Sequence, residues 1–161
     1  MKLIKLTVLP LFIFSVLLSL GSCEKSSEAK TGNLYAKSGI LVSGAQVIPT
    51  SASPALGSMD VSYIRTDKLL NYKLTYSGLS GTPTGVGLYG LAPVGYGVNP
   101  TTPFQVIPIT GLTAASGTIS GNLLVDNIVV KEENVLNGQY YILIRTAAYP
   151  AGEIRGQITF Q

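Results

Sequence analysis

The sequence has no histidine, no tryptophan and a single cysteine, Cys23, among its 161 residues, and only 12% of it is charged. Each shortage excludes something. Without histidine the chain lacks the commonest general base and the commonest neutral metal ligand. Ser-His-Asp and Cys-His catalysis are therefore closed to it. One cysteine makes no internal disulfide, so an exported domain built from this chain must be held by its core. Few charges in a chain that is 46% hydrophobic argue against disorder and against long solvent-exposed helices. No GxxxxGK phosphate loop occurs. No cluster of Lys and Arg marks a nucleic-acid footprint either, so no nucleic-acid partner and no cofactor are expected.

What is present begins with an address. Lys2 and Lys5 precede an apolar run at 8–18, the length of a signal-peptide core and short for a membrane span. Leu20-Gly21-Ser22-Cys23 follows. This resembles the lipobox of bacterial lipoproteins, which implies cleavage before Cys23 and acylation of its thiol. The alternatives are an ordinary signal peptide leaving a free thiol, or an uncleaved anchor. The expected organisation is a leader over 1–22, a polar tether over 23–33 carrying the lipidated Cys23, and one domain over 34–161. The expected location is the cell envelope, with the membrane as a partner through the lipid. Glu24 stands where an aspartate is linked with inner-membrane retention, which favours the outer membrane; the face is open. Loss of Lys2 and Lys5 leaves nine basic against eight acidic residues, a nearly neutral domain.

From Leu34 onward the pattern is short apolar or alternating runs broken by Gly, Pro, Ser and Asn, which predicts an all-β domain. Candidate strands are 39–42, 45–48, 59–66, 69–76, 86–89, 104–109, 117–125, 140–146 and 154–160. Asp67-Lys68 predicts a tight hairpin, and 130–136 the one helical turn. The expected architecture is a Greek-key-like, immunoglobulin-like β-sandwich of two sheets. A last hairpin centred on Pro150 would pair Ile142 with Ile158, Ile144 with Gly156 and Thr146 with Ile154, giving one apolar face. The other face would carry Leu143, Arg145, Glu153, Arg155 and Gln157, with Arg145 opposite Arg155 and the Glu153 carboxylate between the two guanidiniums.

Three stretches resemble the CHRD domain, a module named from chordin. They are Leu41-Val42-Ser43-Gly44-Ala45-Gln46-Val47-Ile48-Pro49, then Leu70-Asn71-Tyr72-Lys73-Leu74-Thr75-Tyr76-Ser77-Gly78-Leu79, then residues 138–158 with Thr146-Ala147-Ala148-Tyr149-Pro150 and Gly152-Glu153-Ile154-Arg155-Gly156. The resemblance implies histidines in an Ala-His-Ile-His-Gly stretch and another just before Thr-Ala-Ala. Gly87, Tyr89 and Arg145 occupy those positions here, so a metal site of converging imidazoles is not expected.

The glycine- and proline-rich stretch 81–103 is longer than a plain connection needs and has no Lys or Arg to hold a phosphate. Its Tyr89 and Tyr96 either stack on a sugar or peptide or cover a sheet end. The candidate recognition surface is Tyr89, Tyr96, Leu143, Arg145, Glu153 and Arg155. The competing reading makes the arginine–glutamate cluster an exposed ion pair worth about 0–1 kcal/mol. The expected function is a non-enzymatic binding or structural module of the envelope, with an envelope protein or glycan as ligand. Two alternatives are a metal-dependent or redox sandwich, opposed by the missing histidines, and an envelope-polymer hydrolase. The hydrolase would need a carboxylate pair drawn from Asp60, Asp67, Asp126, Glu132, Glu133 and Glu153.

Overall fold

The computed structural model describes residues 29–98, 102–109 and 112–161. The expected leader and Cys23 lie outside the described residues. Among these the chain forms nine strands and one short helix. In order they are β1 (Ala29–Thr31), β2 (Leu34–Ser43), β3 (Leu56–Ile64), β4 (Leu69–Ser77), β5 (Pro83–Tyr89), β6 (Gln105–Ile107), β7 (Gly117–Leu124), α1 (Glu132–Leu136), β8 (Tyr141–Thr146) and β9 (Ile154–Gln157). β1 lies in the stretch assigned to the tether and pairs back onto β2 through a turn, Thr31 opposite Leu34.

Strict alternation builds the central strands. In β4, Leu70, Tyr72, Leu74 and Tyr76 are buried while Lys73, Thr75 and Ser77 are exposed. β3 follows the same rule with Met59, Val61 and Tyr63 inside. The hairpin between them closes with Lys68 in the left-handed region, φ 54°, as the Asp67-Lys68 pair predicts. The expected strand at 45–48 is absent. Gly44–Gln46 instead forms a 3-10 turn whose carbonyl at Gly44 accepts from Val47 N (3.1 Å) and Ser51 N (3.0 Å), folding the segment over the sheet.

The all-β class is as the sequence implies, but the strands do not form two separate sheets. They run in one antiparallel path, β6-β5-β8-β9-β2-β3-β4-β7, with β1 added to β2. The halves β6-β5-β8-β9 and β2-β3-β4-β7 join through one residue pair, Ser43 opposite Arg155. The ladder stops there because the chain leaves β2 for the 3-10 turn. At the far edges Gln105 Nε2 of β6 donates to Asn122 O of β7 at 3.1 Å, so the sheet nearly closes on itself. Val42, Met59, Leu74 and Leu88 meet Ile142, Ile144, Ile154 and Ile158 in one core drawn from both halves.

The inner face alternates large and small residues. Tyr72 lies opposite Gly121 and Tyr76 opposite Gly117. A Cβ at Gly117 would sit 2.8 Å from the Tyr76 hydroxyl oxygen, so each tyrosine fills space its partner glycine leaves. Burial of one large apolar side chain is worth about 1.5–3 kcal/mol.

The β8–β9 hairpin keeps its predicted faces but slips by two residues. Ile142 pairs with Gly156 and Ile144 with Ile154, so Thr146 lies beyond the ladder. Turns within 146–152 (Tyr149 N to Thr146 O, 3.2 Å; Gly152 N to Tyr149 O, 3.1 Å) centre the hairpin one residue earlier than Pro150. Gly152 completes the return at φ 143°. A two-residue slip preserves which side chains face inward because the strand period is two. It changes who faces whom. Arg155 lies opposite Leu143, and Arg145 opposite Gly85 of β5, so the two arginines are not cross-strand partners.

The corner between the halves depends on Gly156, where a Cβ would meet Val42 Cγ2 at 2.6 Å. Gly156→Ala is expected to destabilise the fold by about 1–3 kcal/mol, the usual penalty of overpacking. Gly85→Ala, with nothing within 4 Å of its Cβ position, should be neutral or slightly stabilising. Urea unfolding of the two variants checks this; equal midpoints would show that the corner is loosely packed.

Candidate functional site

The outer face of β5, β8 and β9 is not open to solvent. Loops over 44–53 and 90–98 fold across it, and Val47 and Ala92 pack with Tyr89, Tyr141 and Leu143 in a second apolar cluster. Leu143 and Arg155 are each only 2% exposed, and Gln157 3%.

Beneath the loops the side chains form a column. The Arg145 guanidinium lies over the Tyr89 ring at 5.3 Å. Tyr89 stacks on Tyr141 at 5.6 Å between centroids, 19° from parallel. Arg155 covers Tyr141 at 3.7 Å. The register places these groups together, since Tyr89 pairs with Tyr141, and Tyr141 with Gln157. Gly87 makes the stack possible: a Cβ there would lie 2.9 Å from Tyr89 Cε2, so the ring occupies its place. The three positions where the resemblance implies histidines thus share one face, filled by a tyrosine ring and an arginine. Burial raises the pKa of both tyrosines, with the arginines pulling the other way. They stay neutral phenols whose rings receive the cations.

Arg155 anchors the covering loop. Its Nη1 donates to Tyr96 O (2.7 Å), and Nη2 to Pro93 O (3.4 Å) and Gln157 Oε1 (2.6 Å), while Nε–H has no partner among the described residues. All three acceptors are neutral. Burial lowers its pKa, against a smaller opposing pull from Tyr141, but arginine starts so high that the group stays charged. Gln157 continues the scaffold, sharing its Nε2 hydrogens among Ala92 O, Gly138 O and Tyr140 O. Arg155 also belongs to the lining of a cavity of about 130 Å³, with Ala45, Gln46, Ile48, Val94, Gly95 and Gln157.

Glu153 departs from expectation. Its carboxylate is fully buried, with hydroxyl and amide partners. Ser53 Oγ (2.8 Å), Ser80 N (2.7 Å), Ser80 Oγ (2.8 Å) and Thr146 Oγ1 all donate to it. Neither arginine is among these donors, so the expected Arg145–Glu153–Arg155 bridge is replaced by two separate buried scaffolds. The reason is the hairpin slip: Glu153 N donates to Ile144 O (2.7 Å), where the β8–β9 ladder ends, beside Ser53 and Ser80. Burial pushes the Glu153 pKa up, and the four donors more than offset this, leaving it below the usual carboxylate value.

The six candidates therefore divide. Tyr89, Leu143, Glu153 and Arg155 are buried and cannot present themselves to a large partner; Arg145 is half-buried; Tyr96 is 68% exposed. Ser53, Ser80, Gln46, Ile48 and Val94 escape sequence reasoning because their roles come from loops packed on strands distant in sequence. Four of the other acids weighed for a hydrolytic pair hold partners of their own. Asp60 accepts from Gly39 N and Asp67 from Thr66 Oγ1, while Asp126 Oδ1 takes the N–H groups of Ile128, Val129 and Val130. Glu132 holds Arg65 (2.7 Å) and the Tyr63 hydroxyl (2.8 Å). The Tyr63 pKa is pushed up to about 12, first by burial and then by that bond.

A carboxylate receiving four donors has no use for an amide N–H. Glu153→Gln is expected to cost about 1–3 kcal/mol at neutral pH. Because the folded pKa is depressed, this stabilisation is complete above the unfolded glutamate value of about 4.3 and fades as pH falls through the folded value. Urea midpoints at pH 7 and pH 3 should show the gap between wild type and variant shrinking in acid. A pH-independent gap would mean that the carboxylate's charge is not what the pocket holds.

No curated protein and no solved structure matches the chain. The family model for the CHRD domain matches residues 39–158, from within β2 to the core residue just past β9. The match takes in both covering loops, the aromatic column and the Glu153 pocket. The chain belongs to the CHRD domain family.

Proposed function

We propose that this chain is a lipid-anchored protein of the cell envelope whose CHRD domain is a non-enzymatic binding module, and that its recognition surface is the 90–98 loop together with Ile48. One observation carries the surface: Val94 (67% exposed) and Tyr96 (68%) stand in water on a loop whose carbonyls at Pro93 and Tyr96 are held by the buried Arg155. Exposed apolar side chains grouped together commonly mark interaction sites. A loop already fixed in place loses less conformational freedom on binding. Tyr96 offers an aromatic face and a hydroxyl, a combination suited to a glycan or an extended peptide of the envelope.

The anchor rests on the sequence of the leader and Cys23. Acyl chains on that thiol would add about 0.8 kcal/mol for each buried methylene, and more than one chain gives stable attachment. Cys23→Ser should abolish incorporation of labelled palmitate and shift the protein from the membrane to the soluble fraction. Retention in the membrane without label would overturn lipid anchoring.

For the surface, the full-length protein in non-ionic detergent is used to capture components from envelope fractions, beside the double variant Val94→Ser, Tyr96→Ser. A glycan or protein retained by wild type and lost by a variant of unchanged melting temperature is the expected result. Equal capture by both would place recognition elsewhere.

A further inference from the structure

Beyond β7 the chain returns to the core at Val130, and the loop between is apolar at its tip. Leu124 is 57% exposed, Ile128 80% and Val129 61%, while Val125 and Val130 are buried. Three large aliphatic side chains thus stand in water within six residues. Single exposed apolar side chains are ordinary, whereas grouped ones mark an interaction site. The loop that carries them is tied down. Asp126 Oδ1 accepts from the N–H groups of Ile128 (2.9 Å), Val129 (2.9 Å) and Val130 (3.0 Å). Asn127, in the left-handed region at φ 61°, donates its N–H to Val130 O (3.0 Å), and its Oδ1 accepts from Glu132 N (2.8 Å). The amide donors of the tip are therefore satisfied inside the loop, the condition a backbone must meet before it can approach an apolar medium.

The place of this tip in the fold says what it meets. Val125 N donates to Lys68 O (2.8 Å) and Arg65 N to Asn33 O (2.8 Å), so the tip, the β3–β4 hairpin and the β1–β2 turn share one end of the nearly closed sheet. The chain enters the sheet near that end. Register runs from Ala29 through Ala36, Ser62 and Asn71 to Asn122, two residues or about 7 Å short of Leu124. Only six residues lead from Cys23 to Ala29, at most about 20 Å of extended chain. A lipid on Cys23 would keep this end of the domain within reach of the bilayer. We propose that Ile128 and Val129, together with Leu124, insert among the lipids of the membrane that carries the anchor. The proposal rests on acylation of Cys23 and adds a second contact, one that fixes how the domain stands on the membrane. The charges at this end nearly cancel, three basic residues over 65–68 and 131 against four acidic ones over 67 and 126–133. The contact therefore comes from apolar side chains and is insensitive to salt.

The test uses the full-length protein in vesicles of phosphatidylethanolamine and phosphatidylglycerol. Acylation of Cys23 leaves no free thiol, so Ile128→Cys supplies a single site for a polarity-sensitive fluorophore. Ser77→Cys is the reference, because Ser77 is exposed at the other end of β4, eight residues or about 26 Å from Leu69. Blue-shifted emission at 128, quenched by lipids brominated along the acyl chain, is expected, with neither change at 77. Raising the salt concentration should leave the quenching unchanged. Adding Leu124→Asp and Val129→Asp to the Ile128→Cys chain should abolish the quenching at unchanged melting temperature, since both positions are exposed. Should Ile128→Cys lose stability, a label at Val129→Cys with and without Leu124→Asp makes the same comparison.

A label at 128 no more quenched than one at 77, in a chain that floats with the vesicles, would overturn the insertion while the anchor stands. Blue-shifted emission without lipid quenching, lost on diluting the protein, would also overturn it and assign the tip to contact between copies. Quenching that survives Leu124→Asp and Val129→Asp would show that the tether alone brings the loop to the lipid, and the apolar tip would lose its role. Labelling of two thiols in the Ile128→Cys chain, with the protein left behind on flotation, would remove the anchor and the proposal together.

Discussion

Keeping the Arg155 guanidinium charged while it is buried constrains everything around it. Removing an arginine from water costs several kcal/mol even after relaxation. The fold meets that cost with three neutral acceptors and a tyrosine face. A cation–π contact is worth about 2 kcal/mol when desolvated, and a hydrogen bond to a charged group about 1.5–3 kcal/mol. The carbonyls of Pro93 and Tyr96 exist at those points only because the 90–98 loop crosses the sheet there. The arginine needs the loop, and the loop is positioned by the arginine. The backbone of the same residue forms the one pair that joins the two halves of the sheet.

Glu153, two residues earlier, solves the mirror-image problem separately. A carboxylate and a guanidinium so close in sequence would be expected to neutralise each other. Instead each is solvated by dipoles: hydroxyls and an amide for the acid, carbonyls and a side-chain amide for the base. The acid ties the loops at Ser53 and Ser80 to the end of β8, while the base ties the 90–98 loop to β9. A direct ion pair would have left both loops without a fixed point. Separating the charges lets two neighbouring residues fasten three distant segments.

That arrangement explains what was legible in the sequence. Short alternating runs over 59–66, 69–76 and 117–125 marked those segments as strands, and in the last hairpin alternation identified the inner face, because period-two burial reports directly on side-chain direction. Asp67-Lys68 marked its hairpin, since the left-handed conformation of Lys68 belongs to a tight turn. Alternation also put Arg155 and Gln157 together on the outer face. It says nothing of what covers that face, and outer faces of antiparallel sheets are commonly wet. The cover consists of backbone carbonyls at Ala92, Pro93, Tyr96 and Gly138, which any residue type can supply. Such partners leave no trace in composition or spacing. The hairpin slip was hidden for a related reason: Ile142 faces an apolar partner or a small glycine equally well, so both registers satisfy the pattern.

The aromatic column fixes the chemistry this face can offer. Positions 87, 89 and 145, where the resemblance implies histidines, hold a glycine, a ring folded over that glycine, and a guanidinium against the ring. Tyr89 fills the space above Gly87, and its neutral phenol is held between Arg145 and Tyr141. The column ends in an arginine at each side. Among the described residues no group of three acidic or thiol side chains gathers to hold a metal ion. A metal site would need donors where the column now places rings and positive charge. The same framework that supports the loop therefore fills this face with its own rings and guanidiniums, and it is the covering loop, at Val94 and Tyr96, that stands in water.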